Sequence, residues 1–236
     1  MPELHSFRAE AVVLRHADYG EADRMLTLYT RQHGKLRALA KGARKSASRK
    51  AGHLEPFTHV SLQLARGRDL PIVTQADTLD AYLPLRADLT RTAQASYVLE
   101  LVDRLTYQDE IGNPALFRLL TETLSRLAAG KAAWPVIRFY EMRLLDGLGF
   151  RPRLFECANC GRGLPNLLPI SVGALRYLRH FQRSSFAQAA RARPTDEVRQ
   201  EAEDLMQGYF TFLLERELNT PGFLRKIDER RKTEAG

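Results

Sequence analysis

Five short stretches of the first eighty residues are rich in apolar and β-branched residues, and in the third of them apolar and basic residues alternate, which is the pattern of β-strands. The stretches cover residues 7–15, 23–30, 35–41, 59–65 and 71–79, and turn-forming segments separate them. Five short strands with a long connection after the third fit a small closed barrel of the oligonucleotide-binding (OB) type. An SH3-like barrel fits nearly as well, and the periodicity does not choose between the two.

Beyond residue 82 the apolar residues recur every three or four positions, which predicts amphipathic helices. Helices are expected over residues 89–106, from Asn113 to Gly130, over residues 134–148, and after Thr195. Asn113 and Thr195 are residue types that cap helix N-termini, and Gly130 is expected to end the second helix. The chain is therefore predicted to be α+β, with an N-terminal barrel followed by a helical bundle.

The composition of the 236 residues is typical of a soluble globular protein, with 44% hydrophobic and 27% charged residues. No run approaches the roughly 18 consecutive apolar residues of a membrane-spanning helix. The first residues lack the basic and then apolar pattern of a secretory signal. The two cysteines of the chain stand three positions apart, which suits a reducing compartment better than a disulfide framework. We therefore expect a cytoplasmic protein with no membrane partner.

Much of the positive charge lies in one segment near the N-terminus. The formal net charge is +8, and the segment from Arg24 to Leu54 contains no Asp or Glu. Strand side chains alternate in direction, so the basic residues of the third stretch are expected on one side of the sheet. The polar loop that follows is expected to be mobile and able to track a phosphate backbone. The predicted DNA-binding residues are cations of this segment: Arg24, Lys35, Arg37, Lys41, Arg44, Lys45, Arg49 and Lys50.

Four aromatic residues lie in or near the same part of the chain: Phe7, Tyr19, Tyr29 and Phe57. Aromatic rings can stack on unpaired bases. At alternating strand positions, however, most aromatic side chains belong to the core. The sequence leaves both interpretations open for each of the four residues.

Cys157 and Cys160 form a C-x-x-C-G motif, in which two thiolates can chelate one tetrahedral zinc. A closed structural site needs four ligands, but the chain has no further cysteine, and His180 is the only later histidine. A thioredoxin-like redox motif is disfavoured, because no βαβ pattern surrounds the pair. A structural zinc with two visible ligands and a pair without metal both stay open.

The sequence gives no support to the enzyme classes that its charge would suggest. It contains no phosphate-cradling G-x-x-x-x-G-K-[ST] motif and no G-x-S-x-G motif, and it shows no cluster of carboxylates of the kind a nuclease needs. No catalytic residue is therefore predicted, and the chain is not expected to be an enzyme. Two other functions remain: a DNA-binding protein, or a zinc-ribbon adaptor that docks other proteins and has only incidental DNA affinity.

Two stretches of the sequence carry motifs in a fixed order. Residues 12–57 contain D-Y-G-E, T-x-x-H-G-K and A-K-G-A-R. Residues 140–161 contain L-L-x-x-L-G-F-x-P followed by C-x-x-C-G. In order and spacing these elements resemble the bacterial RecO family of recombination and repair mediators, and they lie in both halves of the chain.

The resemblance implies a domain arrangement and a function. The expected domains are an OB-fold DNA-binding domain at residues 1–80, a helical bundle at 81–153 and 170–236, and a zinc-ribbon-like insertion at 154–169. RecO-like proteins bind single- and double-stranded DNA and anneal complementary strands. They associate with RecR and bind the C-terminal tail of single-strand-binding protein, so that RecA is loaded onto the coated strand. The resemblance thus implies DNA repair by homologous recombination, in the RecFOR pathway, in the cytoplasm and at the nucleoid.

The resemblance supports the predicted DNA contacts to different degrees. Lys35, Arg37, Lys41 and Arg44 lie inside matching motif elements, whereas Lys45, Arg49 and Lys50 follow on charge alone. For the acidic tail of single-strand-binding protein, the candidate residues are arginines of the helical part: Arg138, Arg143 and Arg151. For each of these arginines we favour the alternative, that it belongs to a solvated helix face.

The sequence departs from the RecO pattern after Cys160. Zinc-containing members have a second cysteine pair about fifteen to twenty residues further on, and this sequence runs into the next helix without one. A deletion in this chain would explain the difference. We favour instead a segment of the protein that is missing from this sequence near Leu164 to Leu167, because a C-x-x-C-G motif kept at the family's position has no obvious use without its partner ligands.

Overall fold

The computed structural model of the protein describes residues 6–108, 110–152, 154, 170–222 and 227. The chain divides into two compact units, and the division follows Ala129. Among the described residues, the first unit contains five strands, a 3₁₀ turn and three α-helices, and the second contains four α-helices and a short helical segment at residues 219–222.

The sheet of the first unit is built from β1 (Ser6–Tyr19), β2 (Asp23–Thr30), β3 (Gly34–Ala40), β4 (His59–Ala65) and β5 (Ile72–Asp80). It closes into a barrel in the order β1-β2-β3-β5-β4, and β4 pairs back onto β1. Neighbouring strands are antiparallel except β3 and β5, which meet in parallel at Leu39 and Ile72. A 3₁₀ turn (Ala51–Leu54) interrupts the connection between β3 and β4.

Inward-facing side chains fill the barrel with small and aliphatic groups. Examples are Ala11, Val13, Leu28 and Ala38, each fully buried. Because side chains alternate along each strand, the residues between them face outward. On β3, this alternation directs Arg37 away from the core and into solvent.

Three helices follow the barrel in the same unit: α1 (Pro84–Ala87), α2 (Leu89–Leu105) and α3 (Pro114–Ala128). Helix α2 packs on β1, whose outward residues Val12 and Leu14 are also buried. Arg86 of α1 donates to the backbone oxygen of Pro56 and to the Thr58 hydroxyl, both at 2.7 Å. The helices therefore cover part of the outer barrel surface and leave β3 partly open.

The second unit contains α4 (Ala133–Gly147), α5 (Val172–Arg183), α6 (Phe186–Ala189) and α7 (Asp196–Leu214). Helix α5 packs against both α4 and α7. Tyr140, Phe181 and Phe210 are the largest side chains that this packing buries completely. None of the described helices is long and apolar enough to cross a membrane.

The predicted order of strands followed by helices is confirmed, and the fold class is α+β. The side chains of Asn113 and Thr195 accept from the third helical N–H of α3 and α7, as expected of N-caps. Strand β1 runs four residues beyond its predicted end, and the short helices α1 and α6 were not predicted. The predicted zinc-ribbon-like insertion falls almost entirely on residues 155–169, which lie outside the described residues.

The predicted boundary after residue 80 stays a prediction. In the structure, α1 to α3 belong to the same compact unit as the barrel rather than to the unit of α4 to α7.

Candidate nucleic-acid interface

Two of the predicted DNA-binding cations stand in solvent, one on β3 and one just after it. Arg37 is exposed on the outer face of that strand, and Lys41 is exposed just after it. Among the described residues, neither side chain has a hydrogen-bond or ion-pair partner. Both charges are therefore available to an anion from solvent.

Lys35 lies on the same strand but is only 13% exposed, because the end of α2 covers it. Its Nζ lies 2.6 Å from a carboxylate oxygen of Asp103 and donates to the backbone oxygens of Asp103 and Thr106. These groups form the C-terminal end of α2, where the helix dipole favours a positive charge. Lys35 thus caps α2 and joins it to the barrel.

Asp103 holds a second cation as well, the exposed Arg15 of β1, at 3.0 Å. Burial by itself raises the pKa of Asp103, but the hydrogen bonds and charges of Lys35 and Arg15 outweigh it, so the net pKa lies below its ordinary value. The carboxylate is therefore ionised at neutral pH and fixes both strands to α2.

Arg24 is also paired inside the protein. The Arg24 guanidinium lies 2.7 Å from Glu55, and the Arg24 side chain is 18% exposed. Glu55 also contacts His16, at 3.3 Å. Burial acts to raise the pKa of Glu55, but the hydrogen bonds from Arg24 and His16 lower it overall. This cluster ties β1 and β2 to the connection that precedes β4.

Arg44 holds the turn between β1 and β2. Its guanidinium donates to the backbone oxygens of Gly20 and Glu21 and lies 3.3 Å from Asp18. The pair with Asp18 is exposed on both sides, so it is weak in water. Arg44 therefore has a structural contact and still presents charge to solvent.

The remaining predicted cations lie in the loop after β3. Lys45 and Arg49 are exposed, and neither has a side-chain partner among the described residues. Lys50 is partly buried and donates to the backbone oxygen of Val73 at 3.1 Å. The loop is thus anchored at one end on the β1–β2 turn by Arg44 and at the other on β5 by Lys50.

Comparison with known proteins places both halves of the chain in one family. Residues 4–82 match the family described as "Recombination protein O N terminal", and residues 86–221 match "Recombination protein O C terminal". The chain belongs to the RecO family. The family resemblance read from the motifs is thereby confirmed.

Curated relatives agree with this membership. A "DNA repair protein RecO" of Roseiflexus sp. (strain RS-1) is 40% identical over 250 residues, which cover 96% of this chain and 88% of the relative. Proteins of the same name from Dehalococcoides mccartyi (strain ATCC BAA-2100 / JCM 16839 / KCTC 5957 / BAV1) and Pelotomaculum thermopropionicum are 33% and 34% identical over 239 and 245 residues. These cover 92% and 94% of this chain, and 94% and 95% of the relatives. All three alignments are longer than the 236 residues of this chain, so each relative contains residues without a counterpart here.

Two of the RecO motifs in the barrel meet in space, and a third holds a turn and the end of α2. In T-x-x-H-G-K, the Thr30 hydroxyl donates to the backbone oxygen of Gly34 and accepts from the His33 amide, and Lys35 caps α2. In D-Y-G-E and A-K-G-A-R, the Arg44 side chain joins the two motifs. These motif residues therefore hold the barrel and its turns together, whereas Arg37 and Lys41 face outward.

The candidate stacking residues differ in exposure. Tyr29 and Phe57 are buried, at 2% and 6% exposure, whereas Tyr19 is 54% exposed and lies beside the turn that Arg44 holds. Phe7 is half-buried and packs against the barrel core. Of these four candidates, Tyr19 and Phe7 are therefore the rings that a base can reach from solvent.

Sequence reasoning missed two cations that the structure brings close to β3. Arg66 and Arg68 are exposed in the loop between β4 and β5, and that loop ends at Pro71, which accepts a hydrogen bond from the Leu39 amide of β3 at 2.8 Å. The R-G-R sequence in a turn between two strands was the available signal.

A second acid-free stretch, residues 157–195, was also missed. Within the described part of it, Arg176 and Arg183 are exposed on α5, and Arg191 and Arg193 are exposed before α7. This stretch belongs to the second unit and offers a competing location for an anion.

Cys157 and Cys160, the predicted metal ligands, lie outside the described residues. Within the part of the chain that the structure describes, no group of three or more His, Cys, Asp or Glu side chains is placed to hold a metal ion. Zinc therefore stays a prediction from the C-x-x-C-G motif and the family likeness.

Proposed function

We propose that this RecO-family chain binds single- and double-stranded DNA through the outer face of β3 and the loop that follows it. The proposal rests chiefly on one observation: Arg37, Lys41, Lys45 and Arg49 are exposed and have no carboxylate partner among the described residues. Arg44 and Lys50 lie beside them and add charge. We assign Arg24 and Lys35 to the support of this surface, because Glu55 and Asp103 hold them.

The physical basis of binding is the release of counterions. A nucleic acid carries condensed cations, and each lysine or arginine that replaces one of them adds a favourable entropy that falls as the salt concentration rises. Such contacts to phosphates carry no sequence information. We therefore propose binding with little sequence preference, which suits a protein that must act wherever a strand is damaged.

From family membership we propose the further steps. The chain would anneal complementary strands, associate with RecR, and help load RecA onto DNA coated with single-strand-binding protein, at the nucleoid in the cytoplasm. A cationic surface favours annealing because it lowers the repulsion between two phosphate backbones. These steps are non-covalent, and we propose no catalytic residue.

The acidic tail of single-strand-binding protein is proposed to bind the helical part of the chain. Of the three candidate arginines, Arg138 is 5% exposed and lies 2.7 Å from the buried Glu141, so we leave it out. Arg143 and Arg151 are less buried, and both lie within 4.0 Å of Asp146. In a fluorescence titration with the tail peptide, Arg143→Ala and Arg151→Ala are each expected to weaken binding. Unchanged affinity in both variants would exclude this site.

The salt dependence of oligonucleotide binding tests the proposed DNA surface. In a plot of log affinity against log salt concentration, the variant with Arg37, Lys41, Lys45 and Arg49 each replaced by Gln should have a slope smaller by about 3, since each cation contributes about 0.7 on single strands. Fluorescence anisotropy with a labelled dT oligonucleotide across a salt series measures the slope.

The matched control removes the same charge elsewhere. In it Lys131, Arg176, Arg191 and Arg193, all exposed in the second unit, are each replaced by Gln. The proposal expects a slope close to that of the wild type in this control. A slope that falls only in the control would place the DNA on the second acid-free stretch and contradict the proposal.

We retain structural zinc as a proposal, with Cys157 and Cys160 as two of its four ligands. It requires that a segment missing from this sequence supplies the other two. Elemental analysis of the purified full-length protein should then find about one zinc per chain, and Cys157→Ser should release it. A metal content near zero would exclude the ligand assignment.

A further inference from the structure

A cavity of about 480 Å³ opens beside the barrel between the start of β1 and the loop that joins β4 to β5. We call it the β4–β5 cavity; its walls include Phe7, Arg66, Gly67, Arg68, Asp69 and Pro71. None of these residues was among the predicted DNA-binding cations, and Phe7 was a candidate for stacking on a base. Its volume lies in the range of pockets that hold small molecules.

The loop that forms the cavity is tightly folded. A Cβ atom at Gly67 would lie 2.1 Å from the backbone oxygen of Leu70, so only glycine permits this course of the chain. The loop holds Arg66 and Arg68 exposed on either side of Gly67, and within the described residues neither guanidinium has a partner. Two exposed cations thus lie at the rim of one cavity.

The cavity adjoins the proposed DNA surface. Pro71 in its wall accepts a hydrogen bond from the Leu39 amide of β3, and Leu39 lies between Arg37 and Lys41 in the sequence. A single DNA strand that follows the exposed cations on and after β3 therefore passes next to the cavity. This continuity argues for a bound strand rather than for an unrelated small ligand.

We propose that the β4–β5 cavity takes one unpaired nucleotide of a bound single strand. The base contacts the ring of Phe7, and Arg66 and Arg68 bind the flanking phosphates. Asp69, the one carboxylate in the wall, repels a phosphate but accepts hydrogen bonds from the amino and imino groups of a base, which places the base inward and the phosphates at the rim. The inference rests on the proposed DNA binding and adds to it a subsite that requires an unpaired base.

Crosslinking locates the base without altering the protein. A dT oligonucleotide with 5-bromodeoxyuridine is bound to the full chain and irradiated, and tryptic peptides are mapped by mass spectrometry. The expected crosslink lies on the peptide of residues 1–8, which contains Phe7 and ends at the first basic residue of the chain. A crosslink map without this peptide overturns the subsite. If free dTMP at the same nucleotide concentration abolishes this crosslink, the subsite is also overturned, because the cavity would then prefer a mononucleotide to a strand.

Affinity measurements with two ligands separate the base from the phosphates. Phe7→Leu should weaken binding of the dT oligonucleotide about tenfold and leave unchanged the binding of an abasic strand of equal length. Arg66→Gln with Arg68→Gln should weaken both. Leu36→Ala is the matched control, because Leu36 also packs partly buried against the barrel core but does not line the cavity.

The outcomes distinguish this inference from the function it rests on. A wild-type chain that binds neither strand contradicts the proposed function. A wild-type chain that binds both, together with Phe7→Leu affinities equal to wild type, overturns only the subsite. Equal losses in Phe7→Leu and Leu36→Ala also overturn it, because the loss would then come from the core.

Discussion

Lys35 and Arg37 stand two positions apart on β3, and their side chains leave the same face of the strand. Only the surroundings differ: the end of α2 covers Lys35, and Asp103 pairs with it, while Arg37 meets solvent. A buried charge without its partner costs several kcal/mol, whereas an exposed charge costs almost nothing. The two residues should therefore respond to substitution in opposite ways.

Lys35→Met should lower the free energy of unfolding by about 2 kcal/mol, because it leaves Asp103 partly buried with Arg15 alone. It should leave the salt slope of DNA binding unchanged. Arg37→Gln should leave the free energy of unfolding unchanged and reduce the salt slope of DNA binding. Urea denaturation and anisotropy titrations check both variants. A Lys35→Met protein with wild-type stability and a reduced slope would show that Lys35 contacts DNA.

Asp103→Asn should lower the free energy of unfolding by about 2 kcal/mol at neutral pH, because Lys35 keeps its charge without the carboxylate. Folding lowers the pKa of Asp103. The stabilisation that Asp103 gives to the folded state is therefore fully present above the unfolded pKa, ordinarily 3.8, and is lost as the pH falls through the folded pKa.

The difference between Asp103→Asn and wild type should therefore close as the pH falls below about 3.8. Denaturation curves at several pH values measure it, and Asp77→Asn, at an exposed carboxylate, is the control. A difference that stays constant into acid would contradict the ion pairs.

At the scale of elements, the β2–β3 turn and the loop between α2 and α3 are in backbone contact. Gly34 has a φ of +60°, and a Cβ there would lie 2.7 Å from the backbone oxygen of Glu110. A Cβ at Gly112 would lie 2.3 Å from the carbonyl carbon of Gln32. This close approach positions Lys35 under the end of α2. Gly34 and Gly112 are therefore needed for the helix end to cover Lys35 rather than Arg37.

Gly112→Ala should destabilise the first unit by about 3 kcal/mol or prevent it from folding, because neither backbone segment can move away cheaply. Gly52→Ala is the matched substitution: no atom lies within 4 Å of its Cβ, and stability should change by less than about 0.5 kcal/mol. Thermal melts compare the two. Equal melting temperatures would show that the loop does not pack on the turn.

At the scale of the whole molecule, the matched family regions meet between residues 82 and 86, whereas the compact units divide after Ala129. The structure explains the difference, since α2 covers Val12 and Leu14 on the outside of β1 and Asp103 pairs with β1 and β3. The barrel alone would expose these apolar side chains and lose both ion pairs.

A fragment of residues 1–129 should therefore unfold cooperatively in urea. A fragment of residues 1–82 should be less stable and should bind a hydrophobic dye such as ANS, which reports exposed apolar surface. Circular dichroism during denaturation gives the comparison. If the shorter fragment were as stable as the longer one, the barrel would be independent, as the predicted boundary after residue 80 implies.

The sequence alone determined the order of strands and helices, the N-caps at Asn113 and Thr195, and the family, because periodicity, capping and motifs are local properties. It also located the cations from Arg24 to Lys50. It did not show which of them are paired, because Glu55 and Asp103 lie 31 and 68 positions from Arg24 and Lys35 and reach them only when the chain folds. Nor did it show that Arg66 and Arg68 adjoin β3, since that contact requires barrel closure between β3 and β5. Tertiary structure alone decided which charges stay unpaired and exposed at the proposed DNA surface, because ion pairing depends on distance in space and not along the chain.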